Sequence, residues 1–181
     1  AHAKAQRDRF VLPNQYENEK NIQAHVRTTG PEIWKQTEGK VTHVFCSLGT
    51  CGTVMGLSRF LKSRNPQVRI VAVQPTEGHD VPGLRNVSEL SVTRLFDPAA
   101  IDSILEVDYE LAYKRALDLA RLEGLFAGPS SGLVLEGALR TLEALEEPRE
   151  GIGVMIFADS IFKYTSSMLR HIPGLGVEGG I

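Results

Sequence analysis

The chain lacks the features that mark several easily recognised classes of protein. Lysine and arginine total 20 against 22 aspartates and glutamates, a net charge of −2. No block of like charge and no basic stripe stands out, which argues against nucleic acid as a partner. No uninterrupted apolar run approaches the ~20 residues a bilayer-spanning helix needs, so no membrane partner is expected. Cysteine is scarce, with two in 181 residues. Cys46 and Cys51 are not a CxxC pair, and no nearby histidine completes a zinc pattern. No metal site is expected, and a reduced, cytoplasmic setting is the default. The polar start, Ala-His-Ala-Lys-Ala-Gln-Arg-Asp-Arg, has no signal-peptide core and no initial methionine. It reads as the polar end of a helix, a hint of missing upstream sequence.

What is present is globular: 42% hydrophobic and 23% charged residues over the length of one domain. Short β-branched runs alternate with longer helical periods. Val41–Ser47, Val68–Gln74, Ile104–Val107 and Ile152–Ala158 read as strands. The second and fourth are near-continuously apolar, the mark of strands buried on both faces. Phe10–Leu12 is a short apolar run. Pro31–Gly39 reads as a helix with proline at its first position and glycine at its stop. Thr53–Arg64 and Ser131–Leu145 read as further helices. Asp108 caps another that stops at Gly124, and Gly78–Pro98 reads as irregular. Strands alternating with helices imply an α/β fold, a mostly parallel sheet flanked by helices, with no internal domain boundary.

Ser47-Leu48-Gly49-Thr50-Cys51-Gly52-Thr53 lies between a strand and a helix. A helix amino terminus offers free N–H groups and partial positive charge, and glycines let backbone approach an anion. The implied chemistry is phosphate binding. A plain strand-to-helix turn with Thr53 as N-cap is the alternative. No Gly-Lys-Ser/Thr follows, and GxGxxG spacing is absent, so neither a Walker loop nor a dinucleotide fingerprint is present. The stretch resembles the Gly-Thr-Gly-Gly-Thr loop that grips the cofactor phosphate in cysteine synthases and cystathionine β-synthases, fold-type II pyridoxal-phosphate enzymes. Cys51 stands where that loop has glycine. The resemblance makes Gly49, Thr50, Cys51, Gly52 and Thr53 cofactor-binding; a catalytic Cys51 is the alternative.

Glu123-Gly124-Leu125-Phe126-Ala127-Gly128-Pro129-Ser130-Ser131-Gly132 opens a second helix, and either serine would serve as its cap. It is similar to the family's Glu-Gly-(Ile/Leu)-x-x-Gly-x-Ser-Ser-Gly segment. There the first serine hydrogen-bonds the cofactor's pyridine nitrogen, which assigns that role to Ser130. A serine does not hold that nitrogen protonated as a carboxylate would, so the cofactor is a weaker electron sink, suited to α,β-elimination.

Asn14-Gln15-Tyr16-Glu17-Asn18 and Thr28-Thr29-Gly30-Pro31-Glu32-Ile33-Trp34 resemble the family's Gln-Phe-x-Asn and Thr-Thr-Gly-Pro-Glu-Ile-Trp block. The resemblance makes Gln15 a substrate-carboxylate ligand, His25 a hydrogen-bonding residue near the site, and Trp34 a buried helix residue. Phe157-Ala158-Asp159-Ser160-Ile161-Phe162-Lys163-Tyr164-Thr165-Ser166 is similar to the family's Asp-(Ser/Ala)-x-x-x-Tyr-x-Ser segment. Asp159 either shapes the pocket or caps the next helix, and Tyr164 packs near the site.

Gln74-Pro75-Thr76-Glu77-Gly78 and Pro82-Gly83-Leu84-Arg85-Asn86-Val87 resemble the cysteine synthase B branch. There, enzymes using O-phosphoserine carry arginine in a similar Leu-Arg-Asn context. Arg85 is therefore a candidate clamp for an anionic leaving group, with a surface arginine as the alternative. The family's cofactor lysine lies in an upstream Ser-x-Lys-Asp/Asn-Arg motif. None of the seven lysines here, Lys163 included, stands in one.

Residues 1–181 are thus expected to form one partial unit, mainly the large cofactor-binding domain, without the upstream lysine-bearing half. The implied activity is pyridoxal-phosphate-dependent β-replacement, forming cysteine from O-acetylserine or O-phosphoserine and a sulfur donor. The whole protein would be a homodimer, and this chain alone would be inactive. Cystathionine β-synthase or serine/threonine dehydratase activity, a non-catalytic fragment, and a phosphate-binding α/β module are the competing readings.

Overall fold

The computed structural model describes residues 10–145, 151–172 and 174–175. Four parallel strands form one sheet: β1 (Val41–Ser47), β2 (Arg69–Pro75), β3 (Ser103–Val107) and β4 (Ile152–Met155), in the order β3-β2-β1-β4. The helices are α1 (Lys20–Arg27), α2 (Thr29–Gln36), α3 (Gly52–Arg64), α4 (Tyr109–Leu122), α5 (Pro129–Glu143) and α6 (Thr165–His171). Short 3-10 turns occupy Val87–Val92, Pro98–Ala100 and Ile161–Tyr164.

Side chains alternate across a strand, and the parallel register puts like faces side by side. Val44 pairs with Ile70 and Cys46 with Ala72. These four pack with Val54, Leu57 and Leu61 of α3, Ile22 of α1 and Ile33 of α2. The intervening positions point the other way. Phe45 and Val71 meet Val134 and Ala138 of α5, while Val73 and Val107 meet Ala112 and Tyr113 of α4. The sheet is therefore the middle of three layers. Asp108 caps α4 as expected, accepting from the Glu110 and Leu111 N–H groups.

Most expected elements occur with ends shifted by a residue or two. The helix expected from Pro31 begins at Thr29, and Trp34 is only half buried. Phe10–Leu12 is exposed and joins no strand. The fourth strand departs most. It ends at Met155, not Ala158, and Ile152 and Met155 are 38% and 37% exposed. Among the described residues it pairs only with β1, at the sheet's edge, beyond the layers centred on β1 and β2. Its apolar run encodes a strand suited to burial, but its place in the strand order leaves it open. The region expected to be irregular contains the 87–92 turn. It is stabilised by Asn86 accepting from the Ser88 N–H and Glu89 accepting from the Asn86 N–H.

Candidate active site

The carboxyl end of β1, the segment after β2, the first turns of α3 and α5, and the segment after β4 meet around a cleft of about 210 Å³. Its lining includes Gly49, Thr50, Cys51, Thr53, Ser130, Asp159 and Tyr164. Residues up to 117 positions apart in sequence converge here because both helices start at the same edge of the sheet. A larger groove of about 830 Å³ lies at the other end of the strands, beside Thr42, His43, Arg69 and Arg140. Open α/β sheets place ligands at the carboxyl ends of their strands, and the glycine loop is there too, so the smaller cleft is the candidate site.

α3 begins directly after the glycine loop, with Cys51 as its N-cap at φ +68°. Thr53 is therefore inside the helix and not its cap. Its N–H and that of Val54 belong to the first turn, which has no intrahelical acceptors. Neither α3 nor α5 carries an acidic residue in its first turn, so nothing there offsets the positive end of the helix dipole. Gly49 is required by close approach: a β-carbon there would lie 2.8 Å from the Gly83 carbonyl oxygen.

Cys51 accommodates a left-handed backbone that disfavours a side chain. Its thiol donates to the Gly49 carbonyl, and burial pushes its pKa up to about 12. A neutral thiol held this way is a poor nucleophile, so the geometry favours a loop role over the catalytic alternative.

The two loop threonines are oriented from one side. Asn21 donates to Thr50 Oγ1 at 3.0 Å, and Thr53 Oγ1 lies 3.1 Å from His25 Nε2. The other ring nitrogen of His25 faces Thr29 Oγ1 at 2.9 Å. Burial lowers the His25 pKa, favouring the neutral ring. Asn21 and His25 are four residues apart on α1 and so share a face. Sequence reading placed His25 near the site but passed over Asn21; their i,i+4 spacing was the available signal.

Ser130 and Ser131 both lie inside α5, whose N-cap is Gly128, so neither serves as the expected cap. Ser130 lines the cleft, and its hydroxyl has no protein partner among the described residues. Beside Gly128, the N-cap of the same helix, Tyr164 donates to Asp159 Oδ2 at 2.5 Å. Burial, then the adjacent carboxylate, pushes the Tyr164 pKa up to about 12. Asp159 Oδ1 is buried without a protein partner among the described residues. Ser160 caps the following turn, accepting from the Phe162 N–H, so Asp159 belongs to the pocket.

Gln15 and Arg85 lie outside the lining. Gln15 is exposed, although its carbonyl accepts from Asn21 at 2.8 Å. The Arg85 guanidinium donates to the carbonyl of Leu84, a cleft residue. Ser47, Val54, Pro82, Gly83, Leu84 and Ala158 complete the lining, positions to which the motifs assigned no role.

Comparison with known proteins gives this arrangement a context. A family model described as "Pyridoxal-phosphate dependent enzyme" matches residues 1–159. Cysteine synthase B of Pseudomonas aeruginosa is 40% identical over 165 residues, covering 91% of this chain and 54% of that protein. Cysteine synthase B of Escherichia coli is 38% identical over 163 residues, covering 90% and 53%. The crystal structure of O-ureido-L-serine synthase matches with a TM-score of 0.86 and 27% identity, over 100% of this chain and 58% of that one. O-acetyl serine sulfhydrylase isoform 3 from Entamoeba histolytica matches with a TM-score of 0.84 and 26% identity, over 99% and 54%. The chain thus spans about half the length of the curated relatives it matches.

Proposed function

The chain belongs to the family of pyridoxal-phosphate dependent enzymes, and from that premise we propose that it forms the cofactor cradle of a cysteine-forming β-replacement enzyme. The observation that carries the reading is the convergence of two helix amino termini on one cleft, Thr50 and Thr53 at one and Ser130 at the other. The residues present fit the cofactor. Free N–H groups and hydroxyls suit its phosphate, and the unpartnered Ser130 hydroxyl suits its ring nitrogen. Similarity to the cysteine synthase B proteins supports the choice of reaction.

When bound, pyridoxal phosphate supplies an electron sink for removing the substrate's α-proton and β-substituent. In this reading the first turn of α3 holds the phosphate through backbone N–H groups, while Asn21 and His25 orient the two threonine hydroxyls. Ser130 hydrogen-bonds the ring nitrogen without fixing a proton there. Asp159 and Tyr164 line the cleft beside the start of α5, and Gln15 contributes to the substrate-carboxylate site. Arg85 reaches an anionic leaving group, which would favour O-phosphoserine over O-acetylserine. The covalently attached lysine comes from sequence upstream of this chain, and the whole protein works as a cytoplasmic homodimer with a small sulfur donor. These assignments follow the resemblance to the family.

The experiment begins with this chain. Pyridoxal phosphate should bind and be displaced by inorganic phosphate, with no borohydride-trapped adduct on any of its seven lysines. In the longer protein, cysteine formation from O-acetylserine or O-phosphoserine plus sulfide should fall about 3–10-fold on Ser130→Ala, the range for one hydrogen bond between neutral groups. Arg85→Ala should reduce turnover of O-phosphoserine more than that of O-acetylserine. Absence of cofactor binding, or a trapped adduct at Lys163, would overturn the assignment.

A further inference from the structure

The cleft has two walls that are distant in sequence. One is the lip after β2, with Pro82, Gly83 and Leu84; the other contains Asp159 and Tyr164. The lip rests directly on the glycine loop. The Arg85 N–H donates to the Leu48 carbonyl at 2.8 Å, and the Gly83 carbonyl closes over Gly49. Gly78 before the lip and Gly83 within it have φ of +74° and +82°, and a β-carbon at either would meet nothing within 4 Å. The lip is anchored by the buried side chains of Val81 and Leu84, while Pro82 and Gly83 between them are exposed.

Behind the cleft, Asp80 ties this lip to the other wall. Its carboxylate accepts from Arg170 Nη2 at 2.8 Å and lies 3.2 Å from His171 Nε2. Its carbonyl accepts from Tyr113 Oη at 2.5 Å. Arg170 and His171 end α6, which directly follows the turn bearing Tyr164. The His171 ring stacks on Tyr113 at 4.4 Å and meets Tyr109 edge-on at 5.6 Å. Tyr113 is fully buried and the His171 side chain is 14% exposed. The exposed Arg170–Asp80 pair alone would contribute little, but the stacked histidine and buried tyrosine restrict how the contact can move. Just before the lip, His79 Nδ1 accepts from the Val81 N–H and its Nε2 lies 3.3 Å from Glu89 Oε2.

We propose that Asp80 and His171 are positioning residues: their contact ties the two walls together from behind and sets the width of the cleft between Leu84 and Tyr164. They touch neither cofactor nor substrate. The proposal deepens the cofactor-cradle reading and rests on it for its ligand, while the mechanical tie is readable without ligand.

The variants Asp80→Ala and His171→Phe separate the tie from general packing, because phenylalanine keeps a ring for Tyr113 to stack on but has no donor for Asp80. Amide hydrogen exchange in the unliganded chain should accelerate at residues 81–85 in both variants, with protection in β1 and β2 unchanged. Pyridoxal phosphate should bind about 3–10-fold more weakly, the range expected for one lost hydrogen bond. Faster exchange throughout the chain would instead show a general structural role and overturn the proposal. So would unchanged exchange at 81–85, or wild-type affinity in both variants. If the wild-type chain binds no pyridoxal phosphate, the functional reading fails, while local acceleration at 81–85 still supports the tie.

Discussion

Asn21 Nδ2 donates to Thr50 Oγ1 at 3.0 Å, joining α1 to the glycine loop across 29 positions of sequence. The same amide donates to the Gln15 carbonyl at 2.8 Å. One side chain therefore connects the segment carrying the expected substrate ligand to the loop carrying the expected phosphate ligands. Four residues later, His25 makes the corresponding contact with Thr53.

Asn21→Ala should release both partners at once. The expected cost is about 1–2 kcal/mol of stability, from two hydrogen bonds of ordinary net strength. Urea denaturation gives the first quantity, and titration with pyridoxal phosphate should show weaker binding. A variant with unchanged stability and affinity would mean that Thr50 needs no outside support.

Burial pushes both thiols up to about 12. The native chain should therefore show no fast thiol reaction with a disulfide reagent at pH 8, and both cysteines should react once it is unfolded in denaturant. A rapidly modified Cys51 in the native state would revive its catalytic reading.

His25 is held below its ordinary value of 6.5 by burial. Its unfolded form then binds a proton more readily than its folded form. Stability should fall as pH drops below about 6.5 and recover as pH rises, with protonation of His25 in the folded state weakening its role as an acceptor. Urea midpoints for the wild type and His25→Gln at pH 7.5 and 5.5 check this. An equal loss in both proteins would assign the pH dependence to other groups.

Glu136 joins α4 to α5, bonded at 2.8 Å to Arg115 and at 2.8 Å to Arg140. Burial pushes its carboxyl pKa up, but the two guanidinium contacts outweigh that and hold it below 4.5. Its contribution is present above 4.5 and disappears as pH falls through the lowered folded value. Glu136→Gln should cost about 1–3 kcal/mol, discounted from the usual loss of a buried pair because both arginines are partly exposed. Thermal melts should show a larger difference between variant and wild type at pH 7 than at pH 3.

The parts of the site built from consecutive residues were legible in advance. Gly49–Thr53 marked a strand-to-helix loop, and Gly128–Gly132 marked a helix start, because turn and helix-terminus chemistry acts over a few positions. Cap assignments were less secure: Thr53, Ser130 and Ser131 all have suitable side chains, yet each lies inside its helix. Which residue is last outside a helix depends on where the chain enters it, and Cys51 and Gly128 take those places. The roles of Asn21 and the 82–84 lip were not assigned from local sequence, because they arise from neighbours far away in sequence.

The alternation of strands and helices, the strand-to-helix glycine loop and the family resemblance were readable from sequence alone, since these rest on local backbone preferences and short motifs. Tertiary structure decided which side chains meet. The register of β1 and β2 sorted their residues into two cores, and β4's edge position left an apolar strand half exposed. Stacking α1 against α3 brought Asn21 to Thr50, while packing α4 and α6 behind the lip brought Tyr113 and His171 to Asp80. Such contacts depend on how layers pack, and layer packing is a property of the whole chain.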